Sequence, residues 1–298
     1  MGNLSEIKTL SPVAQKIVLP EYLQDHAFEG RALYPAVESM QQLAAAAAGK
    51  NISGRIMGQA AFAKFLEIAQ GQGEIDAILK LAPADGQSLA ARLMTRQKMP
   101  ASGITRTREH ARLCFFPDHK AAAIPDAPAA QTGDPVFRVC AEEVYRELVP
   151  FGPAYHNISG DLHLEACGVT APISAPPLPE PGGPLGSVFV LDAAFHAACV
   201  WTQRYRGFVG FPVGFDYRAV TRPAVAGGRY TALAAAGSGS GSEFGAMGSQ
   251  DFDVWIFAAD GRVCEYVRGL HMCDVFAGRR KPPAWICAEN RNCRGNGR

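Results

Sequence analysis

The spacing of apolar positions changes period several times along this chain of 298 residues. Ala36, Val37, Met40, Leu43, Ala44 and Ala47 recur at three- and four-residue intervals. That spacing predicts a helix with one apolar face, opened by Pro35 and stopped by Gly49. Leu191, Phe195, Ala198, Cys199 and Thr202 repeat the pattern and predict a second long helix over 190–205, with Gly207 as its stop. Elsewhere the pattern shortens to alternation or to brief β-branched runs. These predict strands over 16–23, 55–66, 74–82, 88–96 and 110–116, and again near 157–165, 168–173, 213–221, 229–236, 251–258 and 262–274. A short helix is expected over 142–148, before a turn at 151–155. Loops are expected at 26–34, where Gly30 permits a tight path, and at the Pro/Gly-rich 176–186.

Loop, long apolar helix, then several strands occurs twice. The predicted class is therefore α+β: two antiparallel sheets, each wrapping a long central helix, the element order of a double hotdog. The repeat lies in element order rather than in matching residues. The units are an N-terminal hotdog over 1–116, an Ala/Pro/Asp-rich linker over 117–135, a C-terminal hotdog over 136–276 and a tail over 277–298. The Gly/Ser-rich run 237–249 reads as an engineered or flexible linker loop and stands outside the fold reasoning.

Composition narrows the function classes. A net charge of +1 gives no bulk attraction to nucleic acid or to a membrane surface. No apolar run reaches the ~18 residues of a membrane span, and the N-terminus lacks a charged-then-apolar leader. A cytoplasmic protein is expected. The eight cysteines form no CxxC pair, so they read as small buried hydrophobes in a reducing compartment, and no metal site is expected. His110, His119, His156, His163 and His271 lack partners at metal-ligand spacing and read as structural or exposed.

Two places carry chemistry. His26, Gly30 and Pro35 form an HxxxGxxxxP pattern ahead of the first helix. Asp192 and His196 form a DxxxH pattern in the second, and four residues apart they share one helix face. A neutral imidazole suits a general base near pH 7. An aspartic acid suits a general acid only if burial keeps it protonated. The apolar neighbours of Asp192 favour that, whereas a place in the first helical turn opposes it. His196 would orient the acid or the substrate. Asp25, beside the base, reads as solvated or turn-forming. Unpaired N–H groups at the start of the first helix could polarise a carbonyl.

These motifs resemble those of dehydratase domains from polyketide synthases and related multifunctional fatty-acid synthases, over about residues 16–276. The Asp25-His26 pair and Pro35-Ala-Val-Glu38 look more like iterative or polyunsaturated fatty-acid synthase dehydratases. The resemblance implies a double hotdog and a hydro-lyase acting on a β-hydroxyacyl thioester. It assigns catalysis to His26 and Asp192. It assigns orienting or substrate-binding roles to His196, Gly30, Pro35, Tyr145, Gly152, Pro153, Tyr155 and Pro212. No bound cofactor is implied; the substrate would ride on the phosphopantetheine arm of an acyl carrier protein. Other synthase domains are further partners, and a homodimer stays open. Arg31, Arg204 and Arg206 are candidates to receive an acidic carrier protein. Phe151 stands where a tyrosine is usual before Gly-Pro, Tyr155 where Phe is common, and Ser187-Val-Phe-Val replaces the usual His-Pro. An aldol cyclase of the product-template kind and a catalytically silent acyl-binding module are the alternatives.

Overall fold

The structure, a computed structural model, describes residues 13–48, 50, 52–98, 105–128, 136–177, 183–237 and 248–288. The stop expected at Gly49 and most of the Gly/Ser run fall outside them. The first half begins with β1 (Val13–Val18), a 3-10 turn at Glu21–Asp25, a hairpin of β2 (Ala27–Phe28) and β3 (Arg31–Leu33), and helix α1 (Ala36–Ala48). Strands β4 (Ile56–Ala61), β5 (Glu67–Ile68), β6 (Glu74–Pro83), β7 (Leu89–Lys98) and β8 (Thr105–Phe115) follow. The second half holds β9 (Phe137–Val139), the single turn α2 (Ala141–Glu143), β10 (Leu162–Glu165), β11 (Gly168–Ser174) and the long helix α3 (Val188–Arg206). It continues with β12 (Phe211–Val220), β13 (Arg229–Ala236), β14 (Ser249–Ala258), β15 (Val263–Cys273) and the short α4 (Ala284–Cys287).

Twelve strands form one antiparallel sheet in the order β1-β6-β7-β8-β4-β12-β15-β14-β13-β11-β10-β9, and β2, β3 and β5 form a small one. The expectation of two separate large sheets is corrected by the pairing of β4 with β12, which runs from Gly214 opposite Ala61 to Ala219 opposite Ile56. Two free edges here would expose rows of unpaired backbone N–H and C=O groups; pairing them satisfies both.

Burial explains the elements. β6 alternates exposed and buried positions, as a half-buried strand must. Helix α1 buries Val37, Met40, Leu43, Ala44 and Ala47. Helix α3 is buried at every position from Val188 to Gln203, the behaviour of a helix enclosed on all sides. It ends at Gly207 in the left-handed conformation, the stop that the sequence predicted. One contiguous apolar core contains both helices. Within it Arg218 of β12 donates to Glu265 of β15 at 2.7 Å and approaches Met40 Sδ of α1 at 3.3 Å.

Local differences from the predicted elements have causes. The first strand ends at Val18 because Pro20, lacking an N–H, opens the 3-10 turn. The strand expected over 55–66 stops at Ala61, and the following residues leave the sheet. The strand expected from 157 begins at Leu162, with only an isolated bridge from Ile158 to Ile173. The helix expected over 142–148 is the turn α2 followed by a π turn at Val144–Leu148. The start of the expected linker is packed down: Trp255 Nε1 donates to Pro125 O at 2.9 Å, and Ala122 N donates to Tyr217 Oη at 2.9 Å. Among the described residues no helix is long and apolar enough to cross a membrane.

Candidate active site

His26 follows directly on the 3-10 turn, and its N–H donates to Leu23 O at 3.2 Å. The next residues form the β2–β3 hairpin. Glu29 and Gly30 at its tip have φ of 53° and 74°, and such a two-residue turn needs positive φ, which glycine adopts freely. The hairpin returns Leu33 to His26, with Nδ1 2.8 Å from Leu33 O. A carbonyl only accepts, so this contact places the ring proton on Nδ1 and leaves Nε2 as the basic nitrogen. Gly30 shapes the hairpin and does not face the cavity described below. Pro35 does not line it either; its carbonyl accepts from Ser39 N at 3.1 Å and starts α1.

Asp192 is the fifth residue of α3, two residues further in than expected, because Val188 and Phe189 are already helical. The helix dipole therefore acts on it less than a first-turn position would imply. His196 Nε2 stands 2.9 Å from Asp192 Oδ2 but out of line for a hydrogen bond. Asp192 Oδ2 and both ring nitrogens of His196 have no hydrogen-bond partner among the described residues. Buried polar atoms of native proteins are seldom left unpaired, and those that are merit a functional reading.

His26 from the first half and Asp192 and His196 from the second line one cavity of about 440 Å³. Phe195 and Cys199 continue the α3 wall, Pro212 contributes from β12, and residues 62–67, which left the sheet after β4, form another side. Burial holds the His26 imidazole below its ordinary pKa; Asp192 opposes that shift and His196 adds to it. Burial pushes the Asp192 carboxyl up, but the imidazoles of His196 and then His26 pull it down, leaving it below its ordinary value. The balance that the sequence left open between burial and charge therefore falls toward the ionised carboxylate.

Tyr145 and the 151–155 segment pack around the cavity. Tyr145, Gly152, Pro153 and Tyr155 stand behind the cavity wall rather than on it. The Tyr145 hydroxyl accepts from Asn157 N at 3.0 Å and Ile158 N at 2.9 Å. Tyr155 is fully buried between His26 and Phe189, with ring centroids at 4.9 and 5.2 Å. Phe151 lines the cavity instead, 4.3 Å from the His26 ring and 5.0 Å from that of His196. The cause is Asp25, which is half-buried and, as one of its two expected roles had it, turn-forming: it closes the 3-10 turn Glu21–Asp25. Its carbonyl accepts from Gly152 N at 2.7 Å and its Oδ2 from Ala154 N at 2.8 Å, turning the segment so that Phe151 faces inward.

His110 is structural: it is buried on the cavity wall, with Nε2 2.8 Å from Thr95 Oγ1 and Nδ1 3.1 Å from Lys64 O. His271 sits between Asp251 and Asp216, at 2.8 and 3.2 Å. The three candidate arginines are engaged within the chain. Arg204 donates to Ile286 O at 2.7 Å and lies over Phe137. Arg206 donates to Gln250 at 2.7 Å, and Arg31 pairs with Glu67 at 3.1 Å. Lys64 and Arg108, both exposed, border the cavity instead. No three metal-ligating side chains converge among the described residues.

No protein-family model matches the sequence, and a search of curated proteins finds no match. Solved structures do match. The dehydratase domain from the CurF module of curacin polyketide synthase aligns at 17% identity over 91% of this chain and 95% of that one, with a TM-score of 0.66. A dehydratase domain of a trans-AT polyketide synthase from Brevibacillus brevis aligns at 15% identity over 92% and 96%, with a TM-score of 0.67. A monomeric dehydratase domain from a trans-AT polyketide synthase split module aligns at 10% identity over 89% and 100%, with a TM-score of 0.69. At these identities the likeness is one of fold: this chain has the fold of polyketide synthase dehydratase domains, over nearly the whole of their length.

Proposed function

We propose that this chain is a dehydratase that eliminates water from a β-hydroxyacyl thioester carried on an acyl carrier protein, in polyketide or fatty-acid biosynthesis. The observation that carries the reading is the single cavity onto which His26 and the Asp192–His196 pair both open. Each half is read as one hotdog, its strands wrapping α1 or α3, fused edge to edge with the site between them.

In this reading His26 Nε2 takes the α-proton, and the electrons of that C–H bond form the α,β double bond. The β C–O bond breaks, and the departing hydroxyl takes a proton to leave as water. Asp192 is drawn down chiefly by His196, so the proton given to the hydroxyl belongs to the coupled Asp192–His196 pair rather than to the carboxyl alone. Exchange with solvent then resets both groups. The start of α1, which reaches the cavity at Ala36, suits the thioester oxygen as negative charge develops on it, because the positive end of the helix dipole lies there.

The cavity lining gives the substrate a direction. Lys64 and Arg108 at the exposed border suit the phosphate of a phosphopantetheine arm. Phe195, Cys199, Leu148 and Val149 offer an apolar path for the acyl tail. A volume of 440 Å³ lies toward the lower end of the ~300–1,000 Å³ typical of small-molecule sites. That favours one extended chain over the folded polyketone that aldol cyclisation requires. The test is incubation with a β-hydroxyacyl carrier protein, followed by mass spectrometry of the intact carrier. Loss of one water supports the reading; a substrate mass unchanged by folded enzyme refutes it.

A further inference from the structure

We infer that Asp25 is a positioning residue that clamps the 151–155 segment of the second half onto the His26 segment of the first, and so sets the surroundings of the base. Asp25 reaches that segment through two atoms, with its carbonyl accepting from Gly152 N at 2.7 Å and its Oδ2 from Ala154 N at 2.8 Å. The two contacts fix both ends of a three-residue stretch. Phe151 and Tyr155, on either side of it, then flank the His26 ring at 4.3 and 4.9 Å. The close approach also explains the glycine. A Cβ at position 152 would lie 2.5 Å from Asp25 Cγ, so any side chain there pushes the clamp apart, although the backbone itself, with φ of −75° and ψ of 172°, accepts any residue. Asp25 touches no cavity surface and acts through its neighbours.

The clamp makes a prediction whose sign separates it from a charge effect. Phe151 and Tyr155 exclude water from His26, and exclusion of water disfavours the imidazolium. Releasing the segment therefore raises the pH at which His26 titrates. Deleting a carboxylate next to His26 acts in the opposite sense, because a nearby negative charge favours the imidazolium. The other charged or titratable groups facing His26 stay in place: Asp192 and His196 from α3, and Lys64, Glu67 and Arg108 around the same cavity; Tyr155 moves with the released segment and is uncharged near neutral pH, since burial raises its pKa.

The experiment follows the His26 imidazole by NMR titration of the full chain, assigned with a His26→Ala control, in Asp25→Ala, Asp25→Asn and Gly152→Ala. Asp25→Ala is expected to move the midpoint up toward the ordinary ~6.5. Asp25→Asn keeps an acceptor oxygen for Ala154 N–H and is expected to hold the midpoint at or below that of the wild type. Gly152→Ala attacks the same contact from the other side and moves it up, so the inference stays testable if Asp25→Ala fails to fold. In the double variant the carboxyl is gone and only the Cβ of residue 25, 2.7 Å from that of position 152, still clashes, so Gly152→Ala adds less to Asp25→Ala than it does to the wild type. An unmoved or lowered midpoint in Asp25→Ala, or wild-type behaviour of Gly152→Ala, overturns the inference. The turnover prediction rests on the dehydration reading: kcat falls by roughly tenfold to a hundredfold in Asp25→Ala with KM held, as a displaced base implies, and Asp25→Asn restores it. The titration does not depend on that reading, so a failed clamp and a failed dehydratase assignment give different results.

Discussion

Cys199 is the residue through which acyl-chain selection can be tested. It lies seven residues beyond Asp192 on α3, or ~10 Å along the axis at ~1.5 Å per residue, on the same wall of the cavity. Burial pushes its thiol up to about 11, so at neutral pH it is an uncharged, small wall group. Gln203 donates to both Leu148 O, at 3.0 Å, and Cys199 Sγ, at 3.5 Å, which braces this end of the cavity. In Cys199→Phe the ring occupies the space assigned to the distal tail. Each methylene kept out of an apolar site forfeits ~0.8 kcal/mol. A tail losing roughly three methylenes of contact thus forfeits ~2.4 kcal/mol, which at ~1.4 kcal/mol per decade is ~50-fold in kcat/KM. The loss should fall on KM, because tail contacts are alike in ground and transition states. The assay compares kcat/KM for a short β-hydroxyacyl substrate with one longer by those methylenes, in Cys199→Phe and in the Cys199→Ala control. Overpacking can itself destabilise by ~1–3 kcal/mol, so thermal melting and retained short-chain turnover certify the fold. If long and short substrates decline equally, or neither declines, the tail does not run along α3 and the proposed direction is wrong.

Three further outcomes are expected. His26→Ala and Asp192→Asn should both abolish elimination, while in deuterated buffer Asp192→Asn retains some α-proton exchange and His26→Ala none; wild-type-like elimination by either variant overturns the assignment. The lowered pKa of His26 means that the unfolded chain binds its proton first. Stability is therefore lost as pH falls from the unfolded value near ~6.5 toward the folded one, and melts at about pH 7.5 and about pH 5.5 should differ more for wild type than for His26→Gln. Glu265→Ala strands the buried Arg218 guanidinium and should destabilise by ~3–5 kcal/mol in urea, whereas Arg218→Met with Glu265→Leu should be neutral or stabilising by up to ~4 kcal/mol; a loss under ~1 kcal/mol in Glu265→Ala would show that Arg218 reaches water.

The features legible in the sequence lie within short stretches of chain. His26, Gly30 and Pro35 are spaced for a turn, a hairpin and a helix start, and those elements form from local backbone preferences. Asp192 and His196 share a face because a helix brings residues four apart together wherever it sits. Both long helices, the Gly207 stop and most strands were legible for the same reason. Which edges meet, and which groups surround His26, was settled by the packing of distant parts of the chain. The β4–β12 pairing joins two strands that look no different from unpaired ones, because backbone hydrogen bonds carry no residue code. Asp25 meets Ala154 across 129 positions and Arg218 meets Met40 across 178. The turn of 62–67 out of the sheet likewise followed from the cavity it encloses rather than from its own composition, which reads as strand. Contacts of that range depend on the packing of the whole core, and a local pattern holds no record of them.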